Sequence, residues 1–241
     1  MPPVPKPKPP AVTSARNRNL VIAIVVAGLV VGALIAGSVL TRDNGKKTGS
    51  TAAAAALVKG IPQHGTVLGN PAAKVRMLQF EDLQCPICKQ YTDDVLPAIV
   101  REYVRPGRVR LDFRGLGFIG PDSDKALRIA LAAGLQNKLW DVVGLFYAEQ
   151  QTENSGWVTD AKVDEILAQV PGLDAAKVKA DARSAEVSQQ IAAVKADATA
   201  LEVQGTPAFA ISTGNAKPYA ITVQSLTPSA FRPALDDALK G

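Results

Sequence analysis

Cys85 and Cys88 are the only cysteines of the chain, and Pro86 and Ile87 separate them. An apolar run typical of a strand, residues 75–80, precedes them, and apolar residues at helical spacing follow them. This order places the pair at the start of a helix, where unpaired N–H groups and the helix dipole favour a thiolate over a thiol. The pattern predicts a redox pair in which an exposed Cys85 attacks and a more buried Cys88 resolves the mixed disulfide.

Three other uses of the two cysteines fit the sequence less well. A structural zinc site needs four ligands, and the chain adds only the distant His64 as a histidine. A purely structural disulfide across so short a loop would restrict the unfolded chain much less than a long loop would. Two inert core thiols are the third alternative, although the start of a helix is a poor place to bury them. The motif in its strand-to-helix context favours redox chemistry.

The first 40 residues have the composition of a tail followed by a membrane span. Residues 1–19 are rich in proline and contain four basic residues and no acid, which predicts a disordered segment. The uncharged run Leu20–Leu40 has about the length of a transmembrane helix, roughly 20 residues. The excess of basic residues before this run predicts a cytoplasmic tail and an exported body. Cleavage of the run as a signal peptide near Ser38 is the alternative.

The rest of the chain carries little net charge and divides into a linker and one domain. Of the net charge of +5, the tail supplies +4, so the remainder is near +1. No basic stripe with interleaved aromatic residues is present, and the sequence therefore does not predict nucleic-acid binding. Residues 41–60 predict a linker, within which Ala52–Ala56 could form a short helical stem. Residues 61–241 have the length of one domain with a full core.

Residues 61–241 predict an α/β domain. A helix that begins at Cys85 and is kinked at Pro97 joins the second strand to the third, which predicts a parallel pair. The last two strands are expected to pair antiparallel, before a closing helix from Ser229 to Leu239. The expected strands are Thr66–Leu68, Val75–Phe80, Val109–Phe113, Ala208–Ile211 and Tyr219–Val223.

Between the third and fourth strands, residues from about 121 to 203 have helical periodicity throughout. Four residues in this region have the side chains and positions of helix N-caps, namely Ser123, Thr159, Asp174 and Ser184. The sequence therefore predicts a helical subdomain inserted into the α/β domain.

The motifs and the order of elements resemble a DsbA-like member of the thioredoxin superfamily. The segment from Phe80 to Cys88 is similar to that family's Phe-x-Asp-x-x-Cys-Pro-x-Cys, and the segment from Gly205 to Phe209 is similar to its Gly-Thr-Pro-x-Phe. The similarity extends from about residue 61 to residue 240. The expected fold is therefore a thioredoxin fold with an inserted helical subdomain, preceded by one N-terminal transmembrane helix.

The resemblance implies roles for two segments of the chain. Cys85 and Cys88 would exchange disulfides without a cofactor or a metal ion. The Thr206–Pro207 peptide bond would be cis and packed beside the cysteines, with its backbone pairing with an extended client. A proton acceptor for Cys88 is expected at Asp82 or Glu81. The residues expected to bind the client are Pro86, Ile87, Thr206 and Pro207.

The resemblance also implies a function. The clients would be reduced, unfolded exported polypeptides, and a quinone-linked oxidase in the membrane would be the redox partner of a monomeric, membrane-anchored enzyme. Strongly oxidising members carry a histidine where this chain has Ile87, and an isoleucine cannot stabilise the thiolate electrostatically. The difference predicts a weaker oxidant. A reductase or isomerase of the same fold, and a binding module with incidental cysteines, are the alternatives.

Overall fold

The computed structural model of the protein describes residues 51–241. The predicted tail, residues 1–19, and the predicted membrane span, Leu20–Leu40, lie outside these residues. Among residues 51–241, no helix is both long and apolar enough to cross a membrane.

A six-stranded sheet lies at the centre of the described domain. Its strands are β1 (Gln63–His64), β2 (Val67–Leu68), β3 (Val75–Glu81), β4 (Val109–Gly115), β5 (Ala208–Thr213) and β6 (Tyr219–Ile221). Their spatial order is β1-β2-β4-β3-β5-β6. Strands β3 and β4 are parallel, and all the other neighbours are antiparallel. The predicted parallel pair and the predicted C-terminal hairpin are both confirmed, whereas β1 was not predicted.

Helices pack on both faces of this sheet. They are α1 (described over residues 51–58), α2 (Pro86–Asp94), α3 (Leu96–Ile99) with a following π-helical turn (Val100–Val104), α4 (Pro121–Gly134), α5 (Leu139–Ala148), α6 (Asp160–Ala168), α7 (Ala175–Asp181), α8 (Ala185–Ala200) and α9 (Pro228–Ala238). Helices α4 to α8 form the predicted insertion between β4 and β5. The predicted caps Thr159, Asp174 and Ser184 each accept a hydrogen bond from the backbone N–H three residues later.

Helix α1 differs from the linker expected over residues 41–60, although the helical stem expected at Ala52–Ala56 is found within it. Val58, at its C-terminal end, is buried in the hydrophobic core. The Arg105 guanidinium donates hydrogen bonds to the backbone oxygens of Ala56, Leu57 and Lys59. These contacts satisfy carbonyl groups that the end of a helix leaves without partners. Helix α1 is therefore part of the folded domain.

Two helix boundaries also differ from the prediction. Helix α4 begins at Pro121 with Gly120 as its N-cap, so Ser123 is not a cap. The Ser123 hydroxyl instead donates a hydrogen bond to Asp82. The helix after the cysteines is interrupted at Val95, two residues before Pro97. The break precedes Pro97 because the ring of this proline clashes with a carbonyl of the preceding turn.

Alternation along β3 divides its side chains between two layers. Leu78 and Phe80 face α8, where Val194 and Ala198 cover them. Side chains of the opposite face, which include Gln79 and Glu81, point toward α2 and α5. A strand that ends in a polar pair on its buried face is unusual, because a buried polar group needs a hydrogen-bond partner. This end of β3 leads directly into the loop that carries Cys85.

Candidate active site

The two cysteines lie at the N-terminus of α2, as predicted. Cys85 is the N-cap, with an extended backbone (φ −68°, ψ 118°). Pro86 follows at the first helical position, where the N–H that proline lacks would have no partner within the helix. The Cys85 sulfur accepts a hydrogen bond from the backbone nitrogen of Cys88 at 3.4 Å. Both thiols are free, so this is the reduced site.

The prediction that Cys85 is exposed is wrong. Cys85 is 6% exposed and Cys88 is 0% exposed. Cys88 is the more buried of the two, as expected, but both side chains are buried. The backbone oxygen of Thr206 lies 3.5 Å from the Cys85 sulfur, and the backbone nitrogen of Cys88, in the first turn of α2, lies 3.4 Å from it. The Thr206–Pro207 peptide bond is cis, as the resemblance implied.

The environment of the two sulfurs makes them chemically different. A hydrogen bond from the Cys88 thiol is the main cause that lowers the pKa of Cys85 to about 6. The Thr206 side chain and the backbone N–H groups of Cys88 and Ile87 lower this pKa further, while burial opposes them. Burial, the hydrogen bond to Cys85 and the charge of Glu81 raise the pKa of Cys88 well above its usual value. At neutral pH the pair is therefore a Cys85 thiolate beside a Cys88 thiol.

Ile87 occupies the position next to the resolving cysteine and points outward. Its side chain is 49% exposed, which is unusual for a large apolar residue in this domain. Pro86 and Ile87 thus lie on the helix start beside Cys85, and the cis Thr206–Pro207 segment contacts the same sulfur. The structure brings the four residues expected to bind the client to one place.

Of the two candidate proton acceptors, Glu81 is buried next to the cysteines. The Tyr147 hydroxyl donates a hydrogen bond to its Oε2 atom at 2.6 Å. Burial raises the pKa of Glu81 to about 8, the hydrogen bond from Tyr147 lowers it, and the charge of Cys85 raises it. A carboxyl group with this pKa can release or accept a proton near neutral pH, which is what general acid–base chemistry requires.

The second candidate, Asp82, has a different role in the structure. Its carboxylate accepts four hydrogen bonds, which come from the backbone N–H groups of Gln84, Phe118 and Ile119 and from the Ser123 hydroxyl. These bonds join the loop before Cys85 to the segment that leads into α4. Asp82 therefore holds the backbone of the site in place, and its oxygens are occupied.

Residues of the helical insertion complete the site, and no pattern in the sequence indicates this. Gln150, just after α5, donates from its amide nitrogen to the backbone oxygens of Leu83 at 2.9 Å and Cys85 at 3.2 Å. Tyr147 lies on α5 itself. Helical periodicity predicts that Tyr147 is buried. It does not predict that the Tyr147 hydroxyl forms a hydrogen bond with Glu81, which is 66 residues away in the sequence.

Comparisons with known proteins identify relatives of this chain. The sequence model of a thioredoxin family matches residues 62–237. A probable disulfide bond formation protein D from Bacillus anthracis is 30% identical over 154 residues, which are 63% of this chain and 71% of that protein. A similar protein from Bacillus cereus has the same identity and coverage.

Solved structures share the fold. The crystal structure of oxidised BdbD from Bacillus subtilis superimposes with a TM-score of 0.64 at 21% identity, and the match covers 76% of this chain and 98% of that chain. A thioredoxin-like oxidoreductase from Silicibacter pomeroyi DSS-3 superimposes with a TM-score of 0.57 at 28% identity and covers 76% of this chain and 94% of that chain. The chain therefore belongs to the thioredoxin family and is a DsbA-like protein disulfide oxidoreductase.

Proposed function

We propose that the protein is a membrane-tethered, extracytoplasmic oxidase that introduces disulfides into reduced exported polypeptides through Cys85 and Cys88. The observation that carries the proposal is the unequal pair of thiols. A pKa of about 6 makes Cys85 a stable thiolate at neutral pH and hence a good leaving group. Because an incidental cysteine has no need of a lowered pKa, this difference disfavours a non-catalytic binding module.

The proposed reaction begins with the Cys85–Cys88 disulfide. A client thiolate attacks the Cys85 sulfur, the bond between the two cysteines breaks, and Cys88 leaves and takes up a proton. A second client thiolate then attacks the client sulfur of the mixed disulfide, and Cys85 leaves as a thiolate. The client gains a disulfide and the enzyme is reduced. A disulfide of a quinone-linked membrane oxidase would return the enzyme to its oxidised form.

Glu81 is the group we assign to the proton transfer at Cys88. Burial, the largest of the causes that raise its pKa to about 8 in the reduced site, acts in the oxidised site as well, so the carboxyl group can carry a proton and donate it to the departing Cys88. During reoxidation Cys85 is bonded in the mixed disulfide and carries no negative charge. That charge is one of the causes that raise the pKa of Glu81 in the reduced site. The carboxyl group then ionises more readily and can accept the proton of Cys88.

The reduction potential tests whether the enzyme oxidises or reduces its clients. A pKa of about 6 for Cys85 lies between about 7 for thioredoxin and about 3.5 for the strongly oxidising DsbA. We therefore expect a potential between about −270 mV and −120 mV, measured by equilibration with glutathione buffers. A value at or below about −270 mV would instead identify a reductase.

The location of the catalytic domain needs a separate test. The apolar run Leu20–Leu40 and the basic tail before it support an uncleaved anchor with a cytoplasmic N-terminus. Protease added to intact cells should degrade the catalytic domain and leave a cytoplasmic marker protein intact. A soluble product that begins near Ser38 would show that the run is a cleaved signal peptide.

A further inference from the structure

Glu81 and Tyr147 form a buried pair that joins β3 to the helical insertion. The two side chains are 2% and 0% exposed. The Tyr147 hydroxyl lies 2.6 Å from Glu81 Oε2 and 3.3 Å from the backbone oxygen of Asp82. Among residues 51–241, this hydroxyl is the one side-chain donor to the Glu81 carboxyl, and none of the ion pairs includes Glu81.

The titratable groups that face Glu81 come from two elements. Cys85, Cys88 and Tyr91 lie at or near the N-terminal half of α2, and Tyr147 lies on α5. All of them are neutral or negative, and each interacts electrostatically with the carboxyl group. A carboxylate buried among such groups is unfavourable unless a hydrogen bond stabilises it. The Tyr147 hydroxyl supplies that bond.

We propose that Tyr147 is a positioning residue for disulfide exchange, whose hydroxyl holds the Glu81 carboxyl beneath the cysteines and stabilises its ionised form. The inference rests on the proposed role of Glu81 as the proton acceptor of Cys88. In the step concerned, Cys88 transfers its proton to the Glu81 carboxylate and attacks the Cys85 sulfur of a mixed disulfide. The new Cys85–Cys88 bond forms as the partner's sulfur leaves with the electron pair, so the enzyme is oxidised and the partner is reduced.

Loss of the hydroxyl should move the pH dependence of this step in one direction. Without its donor, the Glu81 carboxylate is less stable and the pKa of Glu81 rises above its present value of about 8. Because the step needs the carboxylate, a higher pH is then required for the same rate. A hydrogen bond to a charged group of this kind corresponds to a shift of about one to two pH units.

The test is the rate at which the reduced, full-length protein is oxidised by oxidised glutathione, measured as a function of pH. The Tyr147→Phe variant should have a midpoint about one to two pH units higher and should be about tenfold slower near neutral pH. The matched control is Tyr103→Phe, which removes the hydroxyl of another buried tyrosine, the donor to Asp236 on α9. Its midpoint should not move, whereas both variants lose stability.

Two further variants separate the outcomes. If Glu81→Gln keeps the pH dependence of the parent, the proposed role of Glu81 itself is wrong. If Glu81→Gln abolishes that dependence but Tyr147→Phe leaves the midpoint unchanged, only the role of Tyr147 is overturned. Should Tyr147→Phe fail to fold, fluorotyrosine placed at position 147 keeps the hydroxyl and makes it a stronger donor. The midpoint should then fall, and an unchanged midpoint overturns the inference.

Discussion

Gln150 donates a hydrogen bond from its amide nitrogen to the backbone oxygen of Cys85 at 3.2 Å. The same nitrogen donates to the backbone oxygen of Leu83 at 2.9 Å. Since Gln150 lies just beyond Glu149, the C-cap of α5, the helical insertion holds the loop that carries the reactive sulfur. The insertion therefore contributes to the geometry of the reaction as well as to the surface around it.

Replacing Gln150 with alanine should loosen this loop. The variant leaves two buried or partly buried carbonyl groups without their donor, and we expect a loss of about 1–2 kcal/mol in the free energy of unfolding. Amide hydrogen exchange should become faster at residues 83–88. The control is Gln136→Ala, which also removes two hydrogen bonds to the backbone, both at Asp174. Faster exchange at residues 83–88 in both variants would contradict a specific role for Gln150.

The roles of the two cysteines can be separated by trapping. Cys88→Ala removes the resolving thiol, so mixed disulfides between Cys85 and client proteins should accumulate and appear on non-reducing gels. Cys85→Ala should trap none, because the pKa of Cys88 is raised and its sulfur is completely buried. Equal trapping by the two variants would mean that the attacking and resolving roles have been assigned wrongly.

The fold and the cysteine pair followed from local patterns in the sequence. Alternating and helical periodicity predicted the strands β3 and β4 and the helices of the insertion, and the resemblance of two short motifs predicted the cis bond at Pro207. Such signals depend on residues that are close in sequence or on motifs that are similar throughout a family. They are therefore independent of how distant segments pack.

The polar partners beneath the cysteines could not be predicted in the same way. Asp82 and Glu81 are neighbours in sequence, and only the packing of α5 and of residues 118–123 gives one a structural role and the other a titrating role. The burial of Cys85 was missed for a similar reason, because Thr206, 121 residues away, covers its sulfur.

Stability as a function of pH should report the burial of Glu81. The pKa of this group is raised on folding from about 4.5 to about 8, so the folded protein keeps a proton that the unfolded chain releases. Its contribution is fully present below pH about 4.5 and is lost as the pH rises toward about 8. Glu81→Gln should therefore become more stable than the parent as the pH rises, by on the order of a few kcal/mol at pH about 8.

Urea unfolding of the reduced proteins at several pH values measures this difference. Glu102→Gln provides a control in which the pKa shift has the opposite sign, because hydrogen bonds from Arg232 and Arg101 lower the pKa of Glu102. That variant should be less stable than the parent above the usual carboxyl pKa, and the difference should disappear as the pH falls. A Glu81→Gln variant whose stability relative to the parent is independent of pH would contradict the raised pKa.

Ile87 is the position at which a single side chain should change the redox potential. Ile87→His places an imidazole on the first turn of α2, and its protonated form should lower the pKa of Cys85 below about 6. A more stable thiolate favours the reduced enzyme, so the disulfide should become more oxidising, by about 30 mV for each 1.4 kcal/mol.

The extent of this change depends on solvent, because the side chain at position 87 is half exposed and water screens an imidazolium there. Ile87→Leu is the control, since it keeps an apolar side chain and adds no charge. Ultraviolet titration of the thiolate and equilibration with glutathione give the pKa and the potential of each variant. If Ile87→His has the potential of the parent but turns over reduced clients more slowly, Ile87 acts as an apolar contact for client chains. The potential would then be set by the hydrogen bonds of Cys88, Thr206 and the helix N-terminus to Cys85.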